Sequence, residues 1–109
     1  MPIRHLVLWK LRSFPDSQQR TDALELLRSQ LEALPEVIPG IRQFEVCIDP
    51  AASPASADLS LLSTFESQAA LDAYLIHPQH RKVGLLLAEN TVSKLISDYL
   101  IGESENSAK

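Results

Sequence analysis

The sequence predicts an α+β fold of the ferredoxin-like type, with element order β-α-β-β-α(α)-β, and three observations predict it. Four stretches alternate apolar side chains with a period of two: residues 3–12, 41–48, 58–65 and 95–101. Between the first two lies a leucine stripe at helical spacing, Leu24, Leu27, Leu31 and Leu34. Between the last two, Pro78 interrupts helical sequence and splits it into two helices.

In the first strand Ile3, His5, Val7, Trp9 and Leu11 share one face, and Arg4, Leu6, Leu8, Lys10 and Arg12 share the other. Both faces are apolar at the centre, so both should be covered. Phe14-Pro15-Asp16 ends the strand, with Asp16 as N-cap and Gln19 as its capping-box partner. The helix that follows runs roughly five turns, keeps Arg20, Glu25, Arg28 and Glu32 off its apolar stripe, and closes at Pro35. Pro39-Gly40 is a turn signal.

The second strand sets Phe44, Val46 and Ile48 against a mixed face of Ile41, Gln43, Glu45 and Cys47, which suits a sheet edge or a subunit contact. Cys47 reads as a small packing residue. Residues 49–56, with two prolines and little that packs, form a loop expected to be mobile. The third strand sets Leu59, Leu61, Ser63 and Phe65 against Asp58, Ser60, Leu62 and Thr64. Ser67 caps a helix over residues 68–76 that turns Leu71, Tyr74 and Leu75 inward. A further helix over residues 78–90 turns Val83, Leu86 and Leu87 inward. The last strand opposes Leu95, Ser97, Tyr99 and Ile101 to Ile96, Asp98 and Leu100. One domain over residues 1–102 is expected, with residues 103–109 as a disordered tail.

With helices on one face of the sheet, the other is expected to carry most of Ile3, Val7, Trp9, Leu11, Leu59, Leu61 and Phe65. At roughly 25 cal/mol per Å², several hundred Å² of such surface left in water costs on the order of ten kcal/mol or more. A second copy of the sheet is the simplest cover, so a two-fold homodimer packed through its sheet faces is expected.

A net charge of −4, with basic residues scattered along the chain, argues against nucleic acid and anionic membrane as partners. The single cysteine forms no internal disulfide and no metal-binding spacing. Charge interrupts the apolar N-terminal stretch within a few residues, which fits neither a signal peptide nor a membrane span. A soluble cytoplasmic protein is expected.

Chemistry concentrates in Tyr74-Leu75-Ile76-His77-Pro78-Gln79-His80. The residue before a proline leaves the α region, so one helix ends near His77 and Pro78 opens the next. His77 is placed to cap the new helix. His80 lies in the first turn, where the positive dipole end disfavours an imidazolium and leaves a neutral general base. Tyr74 is suited to donate to a carbonyl oxygen or a developing enolate. The bland alternative is a Tyr74–His80 hydrogen bond that pins the corner, and a core role for His5. His77 and His80 have no further ligands to complete a metal site, so neither metal nor cofactor is expected.

These residues also carry a resemblance. Arg4-His5-Leu6-Val7-Leu8-Trp9-Lys10-Leu11, Ile38-Pro39-Gly40-Ile41, Phe65-Glu66-Ser67, the Tyr74-to-His80 segment and Ser97-Asp98-Tyr99 resemble the stress-responsive A/B barrel domain (Dabb) family of the dimeric α/β-barrel superfamily. The likeness spans residues 2 to about 101, and the His-Pro-x-His corner is its most specific part. It implies a protomer that dimerises into a β-barrel, with a cavity between sheet and helices. Most members have no established reaction. At least one plant member is a cofactor-free polyketide cyclase whose tyrosine and histidine match Tyr74 and His80, with a pocket histidine matching His5. Leu59 stands where that cyclase has another histidine, which leaves this pocket more apolar.

The expected function is therefore a small homodimeric protein with a pocket for a hydrophobic, oxygenated ligand. The alternative is a cofactor-free cyclase or lyase on a polyketide-like or aromatic carbonyl compound. In it Tyr74 is the acid, His80 the base and His5 the orienting partner. Oxygenation, as in cofactor-free monooxygenases of the same superfamily, has no further feature in its favour.

Overall fold

The computed structural model describes residues 1–49 and 53–102. The loop expected at residues 49–56 lies partly outside the described residues, and the tail at residues 103–109 lies wholly outside them. Strands β1 (Ile3–Leu11), β2 (Ile41–Ile48), β3 (Leu59–Phe65) and β4 (Thr91–Leu100) form one antiparallel sheet in the order β2-β3-β1-β4. Helices α1 (Ser17–Glu32), α2 (Gln68–Ile76) and α3 (Pro78–Asn90) connect them, with a short 3-10 turn at Leu34–Glu36. The expected ferredoxin-like order is thus observed. Among the described residues no helix is long and apolar enough to cross a membrane.

The helix starts follow the local chemistry. Asp16 Oδ1 accepts from the Gln19 N–H at 2.8 Å, and Ser67 Oγ from the Ala70 N–H at 3.1 Å. Pro78 occupies the first turn of α3, where its missing N–H has no partner to lose. Gly40 sits at φ +90°, and a Cβ there would stand 2.8 Å from the Ala70 Cβ, so only glycine fits this turn.

Four expectations are corrected. First, Ile3, Val7, Trp9, Leu11, Leu59, Leu61 and Phe65 do not line the uncovered face. They are buried under the helices, in one core with Leu24, Leu27, Leu31, Leu71, Tyr74, Val83 and Leu87. The open face carries Leu6, Leu8, Leu62, Leu95 and Tyr99 among polar residues. Alternation separates two faces but does not say which one the helices take, and the more apolar set buries with them. Second, Ile41 joins the core side, because a bulge between Ile41 and Gln43 resets the β2 register. Third, β4 begins at Thr91, directly after α3, and not at Leu95. The Asn90 amide and the Thr91 hydroxyl each donate to a carbonyl of the last turn, of Leu86 and Leu87, at 2.9 Å. The helix thus ends without a glycine or proline to announce it. Fourth, Cys47 is exposed rather than packed.

A buried carboxylate fastens one end of the sheet to α1. Asp58 is 4% exposed, accepts from the Leu11 N–H and the Arg20 guanidinium, both at 2.8 Å, and lies 3.6 Å from the Lys10 ammonium. A buried carboxylate needs such partners to remain charged.

Candidate functional site

At the opposite end of β1 the helix corner closes over the sheet. α2 stops because His77 is extended (φ −64°, ψ 137°), as a residue before proline must be. Its N–H donates to the Tyr74 carbonyl at 3.1 Å, and its Nδ1 accepts from the Gln79 N–H at 3.1 Å. His77 is therefore engaged in capping, as expected. His80 follows one turn later and reaches back to α2, with Nδ1 3.2 Å from the Leu75 carbonyl. A carbonyl only accepts, so Nδ1 bears the proton and the neutral ring presents Nε2 as an acceptor.

Tyr74 is the hub of the corner. It is 1% exposed, packs at a tilt against Phe65 at 4.8 Å between ring centroids and against His80 at 4.4 Å, and meets His5 edge-on at 6.1 Å. The expected alternative, a Tyr74–His80 hydrogen bond, is not formed; the two rings are in tilted contact instead. Burial raises the Tyr74 pKa far above its ordinary value, so the phenol remains a proton donor throughout the neutral range. Burial also lowers the His80 pKa, opposed by the bond to Leu75 and aided by the electrostatic influence of neighbouring His5, Lys94 and His77. The direction matches the expectation, but desolvation leads where the helix dipole was expected to.

His5 is 3% exposed, and its Nδ1 lies 2.5 Å from Asp98 Oδ1. The carboxylate accepts, so His5 too turns Nε2 away from its bond. Asp98 was not among the expected site residues. The β1–β4 register sets it directly opposite His5. Once β1 is known to neighbour β4, counting along the two strands would find it.

Tyr74, His80 and His5 all line one cavity of about 310 Å³, at the small end of ligand-pocket sizes. Its other walls are largely apolar, with Val7, Trp9, Leu61, Leu87 and Ile96 among them. Among the described residues the Tyr74 hydroxyl, His80 Nε2 and His5 Nε2 have no hydrogen-bond partner, and no fully enclosed side-chain polar atom lacks one. All three atoms therefore reach open space. Among the described residues no three His, Cys, Asp or Glu side chains gather to hold a metal ion.

A family model described as the Stress responsive A/B Barrel Domain matches residues 3–101. No curated protein matches the chain. Of solved structures, a dimeric protein of unknown function and ferredoxin-like fold from Bacteroides fragilis is similar at 30% identity and a TM-score of 0.81, covering 92% of this chain and 96% of that one. A Dabb family protein from Mesorhizobium loti is similar at 25% identity and a TM-score of 0.69, covering 93% and 97%. A hydroxynitrile lyase from Passiflora edulis shares the fold at 18% identity and a TM-score of 0.76, covering 94% of each chain.

Proposed function

Because the chain belongs to the stress-responsive A/B barrel domain family, we propose that it is a small homodimeric protein in which each protomer binds a hydrophobic, oxygenated small molecule in the cavity beside Tyr74. One observation carries the reading: the Tyr74 hydroxyl, His80 Nε2 and His5 Nε2 are all unpartnered among the described residues and all border one apolar cavity. All three reach the cavity, so a molecule that enters it can meet them together. A ligand carrying both a carbonyl and a hydroxyl fits the set, since its carbonyl accepts from the Tyr74 phenol and its hydroxyl donates to an imidazole Nε2.

Dimerisation through the open sheet face is part of the proposal. Its support is the dimeric relative of 30% identity and the apolar residues this face leaves in water. Leu95 is 71% exposed and Tyr99 41%, beside half-buried Leu6, Leu8 and Leu62. Burying such a patch is worth about 25 cal/mol per Å² before the costs of association. A cytoplasmic location goes with this reading and draws support from the free, exposed Cys47, which suits a reducing compartment.

A second reading uses the same atoms for acid–base catalysis without a cofactor. His80 Nε2 takes a proton from the carbon next to a bound carbonyl, and Tyr74 donates to the oxygen as the enolate develops. It is favoured by one observation, the Leu75 carbonyl that holds His80 in the tautomer a base requires.

A thermal-shift screen against aromatic and polyketide-like carbonyl compounds tests the binding reading, with Tyr74→Phe and His80→Ala in parallel. Compounds that raise the melting temperature of the wild type and not of the variants support it. No stabilising compound, together with less stable variants, counts against it.

A further inference from the structure

The cavity has a second end. β1 and β4 form its floor, and the register sets His5 opposite Asp98, Val7 opposite Ile96 and Trp9 opposite Lys94. Same-face residues on a strand advance about 6.8 Å per pair, so the His5 and Trp9 positions lie about 13 Å apart. His5 lies at one end of this floor, with Tyr74 packed against it and His80 against Tyr74, and the Lys94 position lies at the other.

Lys94 is unlike the other charged group beside the cavity. Asp98 is consumed by His5. Lys94 has no ion pair or hydrogen bond among the described residues. Its charge is nevertheless felt inside. Burial is the main cause of the lowered His80 pKa, and the ammonium of Lys94 adds to it.

The roof between the two ends is bare. His80, Gly84, Leu87, Ala88 and Thr91 line the cavity along α3 and its end, at spacings that keep them on one helix face. Gly84 is interior to the helix, where glycine is less stable than alanine. No packing requires it, because a Cβ at Gly84 meets nothing within 4 Å. It leaves room in the cavity wall one helical turn beyond His80.

Resting on the reading of this cavity as a ligand site, we propose that it selects an acid. The ligand's carbonyl accepts from the Tyr74 hydroxyl, its apolar middle passes beneath Gly84, and its carboxylate pairs with Lys94. Lys94 and Gly84 are then specificity residues, one for charge and one for shape.

The experiment measures calorimetric affinities of the full chain for δ-benzoylvalerate, an aryl ketone acid, and for its uncharged methyl ester. The acid is expected to bind the wild type about two- to fivefold tighter, the scale of one partly screened ion pair. Lys94→Met brings the acid to the level of the ester and leaves the ester unchanged, while Lys94→Arg keeps the preference. Gly84→Val weakens both compounds without lowering the melting temperature. Equal binding of acid and ester by the wild type, or a preference that survives Lys94→Met, overturns the selection of an acid and leaves the ligand site standing. Undiminished binding to Gly84→Val overturns the route beneath α3. If neither compound binds the wild type, the acid inference falls together with the ligand site.

Discussion

His5 donates through Nδ1 to Asp98 across 2.5 Å, joining two residues that are 93 positions apart in sequence and directly opposite in the β1–β4 ladder. The bond fixes which imidazole nitrogen faces the cavity. It also satisfies a ring that is 3% exposed. Asp98→Ala leaves that donor unmet, and a loss of about 1–2 kcal/mol is expected, at the low end because the carboxylate itself is partly exposed. Urea denaturation measures the loss. Nitrogen NMR of the imidazole should show His5 passing from one fixed tautomer to a mixture.

Tyr74→Phe separates a structural corner from a binding one. The hydroxyl has no partner among the described residues, so its removal is expected to cost less than about 1 kcal/mol in stability. Tyr74→Ala removes the ring that packs on Phe65 and His80, and a loss of about 3–5 kcal/mol is expected. Comparing the two by thermal denaturation checks this. A large loss for the phenylalanine variant would mean that the hydroxyl holds the fold.

The helix corner itself was legible in the sequence. Asp16 and Ser67 as caps, and Pro78 as the break, act within a few residues of their targets, so local chemistry decides them. Tyr74, His80 and His5 were likewise singled out, and the structure brings all three to one cavity. What was not legible depends on distant register or on the choice of sheet face. Asp98 finds His5 only through strand pairing. Asp58, expected on a polar strand face, becomes a buried anchor because Arg20 and Lys10 arrive from elsewhere in the chain. The placing of Val7, Trp9, Leu59 and Phe65 under the helices turns on which face is the more apolar across all four strands. Gly84 carries no signal of its own, since only the space around it shows that packing does not require it.

The depressed His80 pKa makes stability depend on pH. The ordinary value is 6.5 and the folded value is lower, chiefly through burial. As pH falls below 6.5 the unfolded chain binds a proton at His80 before the folded protein does. The unfolding free energy therefore drops as pH falls through the window below 6.5 and levels once it passes the folded value. Urea midpoints measured from pH about 8 to about 5 should show this slope, and the same series on His80→Gln should lack that part of it.

Asp58, just ahead of β3, is expected to be a sensitive polar position. Asp58→Ala removes the acceptor for the Leu11 N–H and strands the Arg20 guanidinium. A loss of about 3 kcal/mol is expected, reduced from the fully buried case because Arg20 keeps access to water. Asp58→Asn retains the shape and one acceptor and should lose less. Chemical denaturation of both variants, with slopes compared to confirm an unchanged fold, checks the order.

The most direct test of the central claim, that the Tyr74 corner leaves two imidazole nitrogens free for a ligand, is nitrogen NMR of histidine-labelled protein titrated with 2,4-dihydroxyacetophenone, whose hydroxyls can donate to both. The Nε2 resonances of His5 and His80 should shift in saturable fashion, while their Nδ1 resonances, held by Asp98 and Leu75, and those of His77 stay in place. Titration to the solubility limit with no movement at either Nε2, or movement confined to His77, would contradict the account.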